Sequence, residues 1–310
     1  MRVYEATSSG LKPAERSRPR PGQEEVAIDV RVIALNRGES RRAVHGGFAE
    51  GFVPGWDTAG VISELGPGVK APPVGTRVVA RGLSGGWAEA RIVHQDDIAV
   101  VPEDVDLGEA VTLATAATTA LAVLTRNGPI LARTVLITGA SGSVGQFAVQ
   151  LARLGGAHVV AATRSERDRD LLLQLGAHEV VTDLAHAPNA DLVVETLGGP
   201  SLVRAVNLLK AGGAVQSLGW SSGEDAVFPG LDALMRSGGS LQGFAIGERR
   251  VGALLTQLIQ LLQNGKLKTA VQMRRPWADL PETAAAVLQP GFRGKAVLDL
   301  PDQEFRTAKS

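Results

Sequence analysis

Residues 134–165, TVLITGASGSVGQFAVQLARLGGAHVVAATRS, leave a chain like this few folds to choose from. The stretch opens with Val135, Leu136 and Ile137, an apolar run with the length and composition of a strand buried on both faces. A glycine-rich turn follows, Gly139-Ala140-Ser141-Gly142-Ser143-Val144-Gly145. Apolar residues then recur at Val144, Phe147, Ala148 and Leu151, one face of a helix. Gly155 and Gly156 end that helix, and residues 158–163 read as a second buried strand. The result is a β-α-β unit with its glycines where the first strand enters the helix.

That placement has a chemical consequence. A helix N-terminus carries unpaired N–H groups and the positive end of the helix dipole, so it attracts phosphate. Glycine there lets the backbone turn tightly and approach a pyrophosphate. The spacing Ala140-x-Gly142-x-x-Gly145 is a variant of the dinucleotide fingerprint. Glycine turns alone are common and can be merely structural. Strand before, helix after and second strand beyond make this one a dinucleotide site, with Gly139, Ala140, Gly142, Ser143, Val144 and Gly145 on the cofactor.

The end of the second strand selects between the two nicotinamide cofactors. An NAD site places an acid there for the ribose 2′-hydroxyl. Thr163, Arg164 and Ser165 stand there instead, with Arg167 and Arg169 just beyond. A carboxylate repels a 2′-phosphate, whereas a guanidinium grips one with two bonds. The expected cofactor is NADPH, with Arg164 and Ser165 on its 2′-phosphate. The alternative is that Ser165 caps the next helix and the arginines are solvated.

Net charge and composition narrow the function classes. Of 310 residues, 32 are basic and 32 acidic, so the chain has no electrostatic footprint for nucleic acid or an anionic membrane. No run reaches the roughly 20 apolar residues of a spanning helix, and the N-terminus carries no apolar signal segment. A cytoplasmic protein is expected. The chain has no cysteine, which removes disulfides, thiolate nucleophiles and zinc sites built on cysteine.

Taken in order, residues 1–110 read as a β-rich domain and 111–247 as a doubly wound parallel sheet, with 248–310 returning to complete the first domain. The fold class is α/β. Val26, Ile28, Val30 and Val32 alternate with Ala27, Asp29 and Arg31, a half-buried strand. Residues 13–21, rich in proline, read as a loop. Short strands are expected at 58–65, 77–81, 88–94 and 98–101, and a helix at 107–124. In the second domain, helices are expected at 167–175 and at 201–209, the latter capped by Gly212 and Gly213. Strands are expected at 179–182, 191–196, 214–218 and 241–246. Leu254, Leu255, Leu258, Leu261 and Leu262 mark an amphipathic helix ended by Asn264-Gly265, and residues 294–298 a last strand.

With those pieces in place the chain resembles the zinc-free quinone oxidoreductase (ζ-crystallin-like) branch of the medium-chain dehydrogenase/reductase superfamily. Ala34-Leu35-Asn36-Arg37 is similar to that branch's asparagine motif. Val53-Pro54-Gly55-Trp56-Asp57-Thr58-Ala59-Gly60-Val61 resembles its PG-x-E-x-AG-x-V segment, with Asp57 for the usual glutamate. Gly86-Trp87-Ala88-Glu89 matches the G-x-x-AE turn, residues 115–121 the small-residue segment before the nucleotide fold, and residues 291–298 the closing GK-x-VL strand. The resemblance implies a GroES-like substrate domain joined to a Rossmann domain with the active site in the cleft between them. It implies NADPH-dependent reduction of quinones or enones, often by a homodimer. It places Asn36 near the nicotinamide ribose, Ser143 and Val144 on the pyrophosphate, Gly219, Trp220, Ser221, Phe244 and Ala245 beside the nicotinamide half, and Lys295 either near the cofactor or solvated on its strand. Two departures stand out. Asp168 and Asp183 occupy positions where the branch commonly has a lysine and a tyrosine on the 2′-phosphate. Tyr4 is the chain's one tyrosine, so no tyrosine lines the substrate cleft, and Arg41 falls about where one would be.

Without a cysteine-held metal, what is expected is direct hydride transfer to an acceptor that is already electron-poor. Asn36 is a candidate hydrogen-bond donor to ribose or substrate, and Arg41 a candidate polarising group. Asp57 reads as a structural carboxylate. Phe52, Trp56 and Trp87 line an apolar pocket or belong to the core, and His45 could face the cleft. No metal site is expected. The alternatives are an enoyl or polyketide-intermediate reductase, or a weakly catalytic NADPH-binding sensor or interaction protein.

Overall fold

In the computed structural model, which describes residues 1–70, 72–230, 232–247 and 249–301, the chain divides into two units. One is Met1–Thr115 with Glu248–Ser310, the other Ala116–Gly247. The first begins with an antiparallel ribbon of β1 (Arg2–Thr7) and β2 (Gly10–Glu15). Pro13, expected in a loop, lies in β2 opposite Tyr4. Among the described residues β2 pairs with β1 alone, so proline's missing N–H can fall on its free edge.

The strand that organises this unit is β3 (Glu25–Leu35). Its apolar residues Val26, Ile28, Val30, Ile33 and Leu35 are all fully buried or nearly so. Asn36 then starts α1 (Arg37–Val44), which the sequence reading did not expect. β4 (Asp57–Leu65), β5 (Arg77–Arg81), β6 (Ala90–His94) and β7 (Ile98–Val100) follow, within two residues of the expected bounds. β3 and β4 approach so closely that a Cβ on Gly60 would stand 2.0 Å from the Asp29 carbonyl oxygen. The register shifts at that point, between Val30 and Val32. A short α2 (Leu107–Ala110) and a 3-10 turn over Val111–Leu113 close this part of the chain.

The second unit contains α3 (Ala116–Arg126), β8 (Thr134–Ile137), α4 (Ser143–Leu154), β9 (His158–Ala162), α5 (Arg169–Gln174), β10 (Glu179–Val181), β11 (Ala190–Glu195), α6 (Gly199–Asn207), β12 (Leu209–Ser217), α7 (Asp232–Ser237) and β13 (Ser240–Gly243). Its strands form one parallel sheet in the order β10-β9-β8-β11-β12-β13. In the unit's own count that is 3-2-1-4-5-6, the doubly wound order whose ligand crevice opens at the strand carboxyl ends where the order reverses, here between β8 and β11. Phe147 of α4 is fully buried, worth about 2–3 kcal/mol relative to exposure in water. Leu136, Val160, Val193 and Val215 from four strands share a core with Val206 of α6.

Three expectations are corrected here. Gly212 and Gly213 do not cap α6, which ends at Asn207; they lie inside β12. The β11–β12 register moves from Ala190–Leu209 to Leu192–Ala214, so the glycines carry an irregularity in a strand. The helix expected over 107–124 is broken into α2, the 3-10 turn and α3. Contrary to the sequence reading, the stretch Leu107–Arg126 is long and apolar enough to cross a bilayer by length and composition; most of it is buried, as in the core helix of a globular protein.

The chain returns to the first unit through α8 (Gly252–Gln263), β14 (Val271–Pro276), α9 (Leu280–Leu288) and β15 (Lys295–Asp299). The completed sheet runs β14-β15-β3-β4-β5-β7, with β6 also paired to β3. β3 therefore serves three partners: β4 along most of its length, β6 at Glu25–Asp29 and β15 at Val32–Leu35. Leu35, Trp87, Leu280, Ala296 and Leu298 meet in the core that α9 covers.

Candidate active site

In the second unit the glycine turn sits at the end of β8. Gly139 has φ of 58°, a left-handed conformation that glycine adopts without strain. Gly142 is the N-cap of α4 and offers no side chain to cap it. The first intrahelical bond runs from Gln146 N to Gly142 O (2.9 Å), so the amides of Ser143, Val144 and Gly145 lie in the uncapped first turn. Gly145 answers a different need. A Cβ there would meet Gly139 O at 2.4 Å and Ala140 Cα at 2.6 Å, so the helix could not pack this close to the turn. Ala140, fully buried, donates its N–H to Ala162 O at the end of β9 (3.0 Å). The turn is thus fixed from beneath, while the helix start remains open to an anion.

The β9 end carries the expected cofactor-selecting residues. Thr163 is buried, and its hydroxyl donates to Asp168 Oδ2 (2.6 Å). Ser165 begins a 3-10 turn over Glu166–Asp168 but makes no side-chain cap bond, so the capping alternative is not realised. Arg164 and Arg167 are exposed. Arg169 is committed elsewhere: it pairs with Glu166 and donates to Val180 O (3.1 Å). Asp183 holds Ala185 N (2.9 Å) and Arg204 (2.8 Å).

Glu195, at the end of β11, was not anticipated. It is completely buried and accepts from the Thr138 hydroxyl (3.0 Å), Leu197 N (3.1 Å), Gly198 N (2.9 Å) and the Ser201 hydroxyl (2.9 Å). One carboxylate thereby ties β8 to β11 and holds the two amides that lead into α6, together with the Ser201 hydroxyl of its first turn. The signal was present: an acid closing an apolar strand just before Gly198-Gly199-Pro200-Ser201. Gly219 and Trp220 sit on the neighbouring loop, held by Ser222 N to Leu197 O (2.8 Å) and Trp220 Nε1 to Glu224 O (2.5 Å). Phe244 follows β13, with the Arg126 guanidinium 5.7 Å from its ring centre.

The first unit holds a buried polar cluster. Lys295 is 1% exposed, neither solvated nor free to reach outward. Its ammonium donates to Asp57 Oδ2 (2.9 Å) and Asn36 Oδ1 (2.8 Å). Asn36 Nδ2 donates to Asp57 Oδ2 (2.9 Å) and Glu39 Oε1 (3.0 Å). The Lys295 ammonium on one side, with the Asp57 carboxylate and a Glu39 oxygen that also accepts from Asn36 N on the other, admits only this orientation of the amide. Both Asn36 amide protons are therefore used internally, which corrects the expectation that it donates to ribose or substrate. Asp57 also accepts from the Thr115 hydroxyl, in keeping with a structural carboxylate. Arg41 is half-buried in the last turn of α1, and His45 is its exposed C-cap. Trp87 is fully buried core, while Phe52 stacks on Phe48 with ring centres 5.0 Å apart.

Glu39 completes the cluster and was missed, although Asn36-x-x-Glu39 has capping-box spacing. It is fully buried and accepts from Asn36 N (2.9 Å) and Trp56 N (2.8 Å). Burial, with Asp57 beside it, pushes its carboxyl up to about 8 from 4.5. The folded protein then keeps a proton between pH 4.5 and 8 that the unfolded chain has lost. Stability from this group is full below the unfolded value and is lost as pH rises through the folded one. Urea unfolding midpoints are expected to fall from pH 5 to 8. Glu39→Gln is expected to flatten that decline, with a constant penalty because its amide meets an N–H donor. An unchanged slope in the variant would remove the assignment. Burial likewise lowers Arg91 to about 10; it donates to Trp56 O (2.9 Å) and Ser84 O (2.6 Å).

Comparison with known proteins adds to this geometry. Residues 22–103 match the alcohol dehydrogenase GroES-like domain and residues 143–264 the zinc-binding dehydrogenase domain. The chain is 30% identical to a chloroplastic quinone-oxidoreductase QR1 of Triphysaria versicolor, over 96% of both chains. It is 28% identical to a mycocerosic acid synthase-like polyketide synthase of Mycolicibacterium smegmatis, over 95% of this chain and 15% of that protein. Among solved structures, Escherichia coli quinone oxidoreductase complexed with NADPH has a TM-score of 0.85 at 20% identity, covering 96% of this chain and all of that one.

Proposed function

Since the chain belongs to the quinone oxidoreductase (ζ-crystallin-like) branch of the medium-chain dehydrogenase/reductase superfamily, we propose that it is an NADPH-dependent reductase of quinones or conjugated enones that works without a metal. The observation that carries this is the uncapped start of α4 beside a bend that presents Arg164 and Arg167 to solvent. The residues fit the cofactor. Ser143, Val144 and Gly145 amides would meet the pyrophosphate, and Arg164 with the Ser165 hydroxyl the 2′-phosphate. Bound NADPH supplies a hydride from C4 of its nicotinamide. Glu195 and Thr138 keep the ends of β8 and β11 in register, so the turn and the loop after β11 form a rigid floor. Zinc independence is supported by the absence of cysteine from the sequence. The quinone oxidoreductase relatives support the acceptor class.

Arg164→Ala is expected to raise the KM for NADPH about 10–100-fold, the scale of a lost charge-assisted pair. The KM for NADH should change less than about twofold, since NADH lacks the phosphate the guanidinium would hold. Steady-state kinetics with a quinone acceptor measures both; equal losses would remove Arg164 from the site.

A second possibility is reduction of enoyl thioesters, favoured by the similarity to a polyketide synthase segment. NADPH oxidation measured with quinones, enones and enoyl thioesters side by side separates the two.

A further inference from the structure

We propose that Asp168 is the positioning residue through which this chain selects the phosphorylated dinucleotide, acting from behind the bend rather than on the ligand. The inference rests on the NADPH reading above. Thr163 leaves the sheet with its N–H on Val181 O (3.0 Å). Its hydroxyl donates to Asp168 Oδ2 (2.6 Å) and accepts from Ser165 N (3.4 Å), while Asp168 N donates to Ser165 O (3.0 Å). The bend from 163 to 168 is therefore closed by side-chain and backbone bonds together. Asp168 is 3% exposed and Thr163 7%, so the clasp is buried while Arg164 and Arg167 are exposed.

Two effects follow from this arrangement. A guanidinium can grip a phosphate with two bonds only if the backbone beneath it is fixed, and ordering a loose loop on binding would consume that gain. The Thr163 hydroxyl also holds the Asp168 carboxylate inward. Released, an acid in this bend would face the adenosine ribose, where it repels a 2′-phosphate and accepts from a 2′-hydroxyl. Thr163 and Asp168 thus act as one unit, and breaking it from either side shifts preference toward NADH.

The test is steady-state kinetics with NADPH and NADH, using one quinone acceptor, on the wild type, Asp168→Ala, Asp168→Asn, Thr163→Val and the Asp168→Ala/Thr163→Val pair. Asp168→Ala and Thr163→Val are each expected to raise the KM for NADPH about tenfold with little change for NADH. Asp168→Asn, which keeps an acceptor for the hydroxyl, should restore most of the loss. The double variant should be no worse than the poorer single one. Equal rises for both cofactors, no change, or a fall in the NADPH KM of Asp168→Ala would each overturn the proposal. Failure is separable from that of the cofactor reading: a wild type that prefers NADH, or Arg164→Ala without selective loss, sinks the latter. NADPH preference that survives every clasp variant sinks this inference alone.

Discussion

Lys295→Met is expected to lower the unfolding free energy by about 3–5 kcal/mol, the scale of breaking a buried ion pair from one side. Methionine fills nearly the same volume, so the loss is electrostatic and not a cavity effect. The ammonium is the group that meets Asp57 and the Asn36 carbonyl at once. Without it Asp57 stays in the interior beside Glu39, a carboxyl already held above its ordinary range by the same burial. Asn36 would also lose what fixes its amide. Adding Asp57→Asn to Lys295→Met should recover part of the loss by removing the uncompensated charge. Urea denaturation at pH 7 measures all three; a loss below about 1 kcal/mol would place the pair with weak surface contacts.

Gly145→Ala is expected to cut NADPH affinity by at least about 100-fold, near 2.7 kcal/mol. The added methyl would meet backbone, not a side chain that can swing away: Gly139 O at 2.4 Å and Ala140 O at 2.7 Å. Relief requires α4 to withdraw from β8, which displaces the amides that meet the pyrophosphate. Gly142→Ala is the control. Its Cβ would meet only Gly139 O at 3.2 Å, a contact that a small shift relieves. Calorimetric titration with NADPH should therefore rank Gly145→Ala well below Gly142→Ala; the reverse order would mean that packing beneath the turn does not set the site.

The parallel unit was the most legible part of the chain. Strands buried on both faces are written as unbroken apolar runs such as Val135-Leu136-Ile137 and Val159-Val160-Ala161, and glycine spacing marks the turn between strand and helix. Helices with mixed faces were not legible. α1 reads Arg-Gly-Glu-Ser-Arg-Arg, with nothing apolar until Ala43, because the residues it buries include Glu39 and Ser40. β14, Val271–Pro276, was missed because it is mostly exposed and its alternation stops after Met273. α9 was legible but unread: Leu280, Ala284 and Val287 stand at helical spacing on its buried face. The roles of Asn36 and Lys295 could not be read because they depend on partners 259 residues apart in the chain. Local pattern found the residues; only the fold shows that their hydrogen-bonding capacity is turned toward each other.

The two units differ in how the chain builds them. The parallel unit is one continuous segment, Ala116–Gly247, so it can form as soon as it leaves the ribosome. The other unit cannot. Its longest strand, made near the beginning, keeps one flank at Val32–Leu35 open until β15 arrives from near the end. The same late strand delivers the only ammonium that contacts Asp57 among the described residues. Synthesis of the β-rich half is therefore expected to outrun its folding by more than 250 residues, leaving an exposed strand flank and one carboxylate waiting for its lysine.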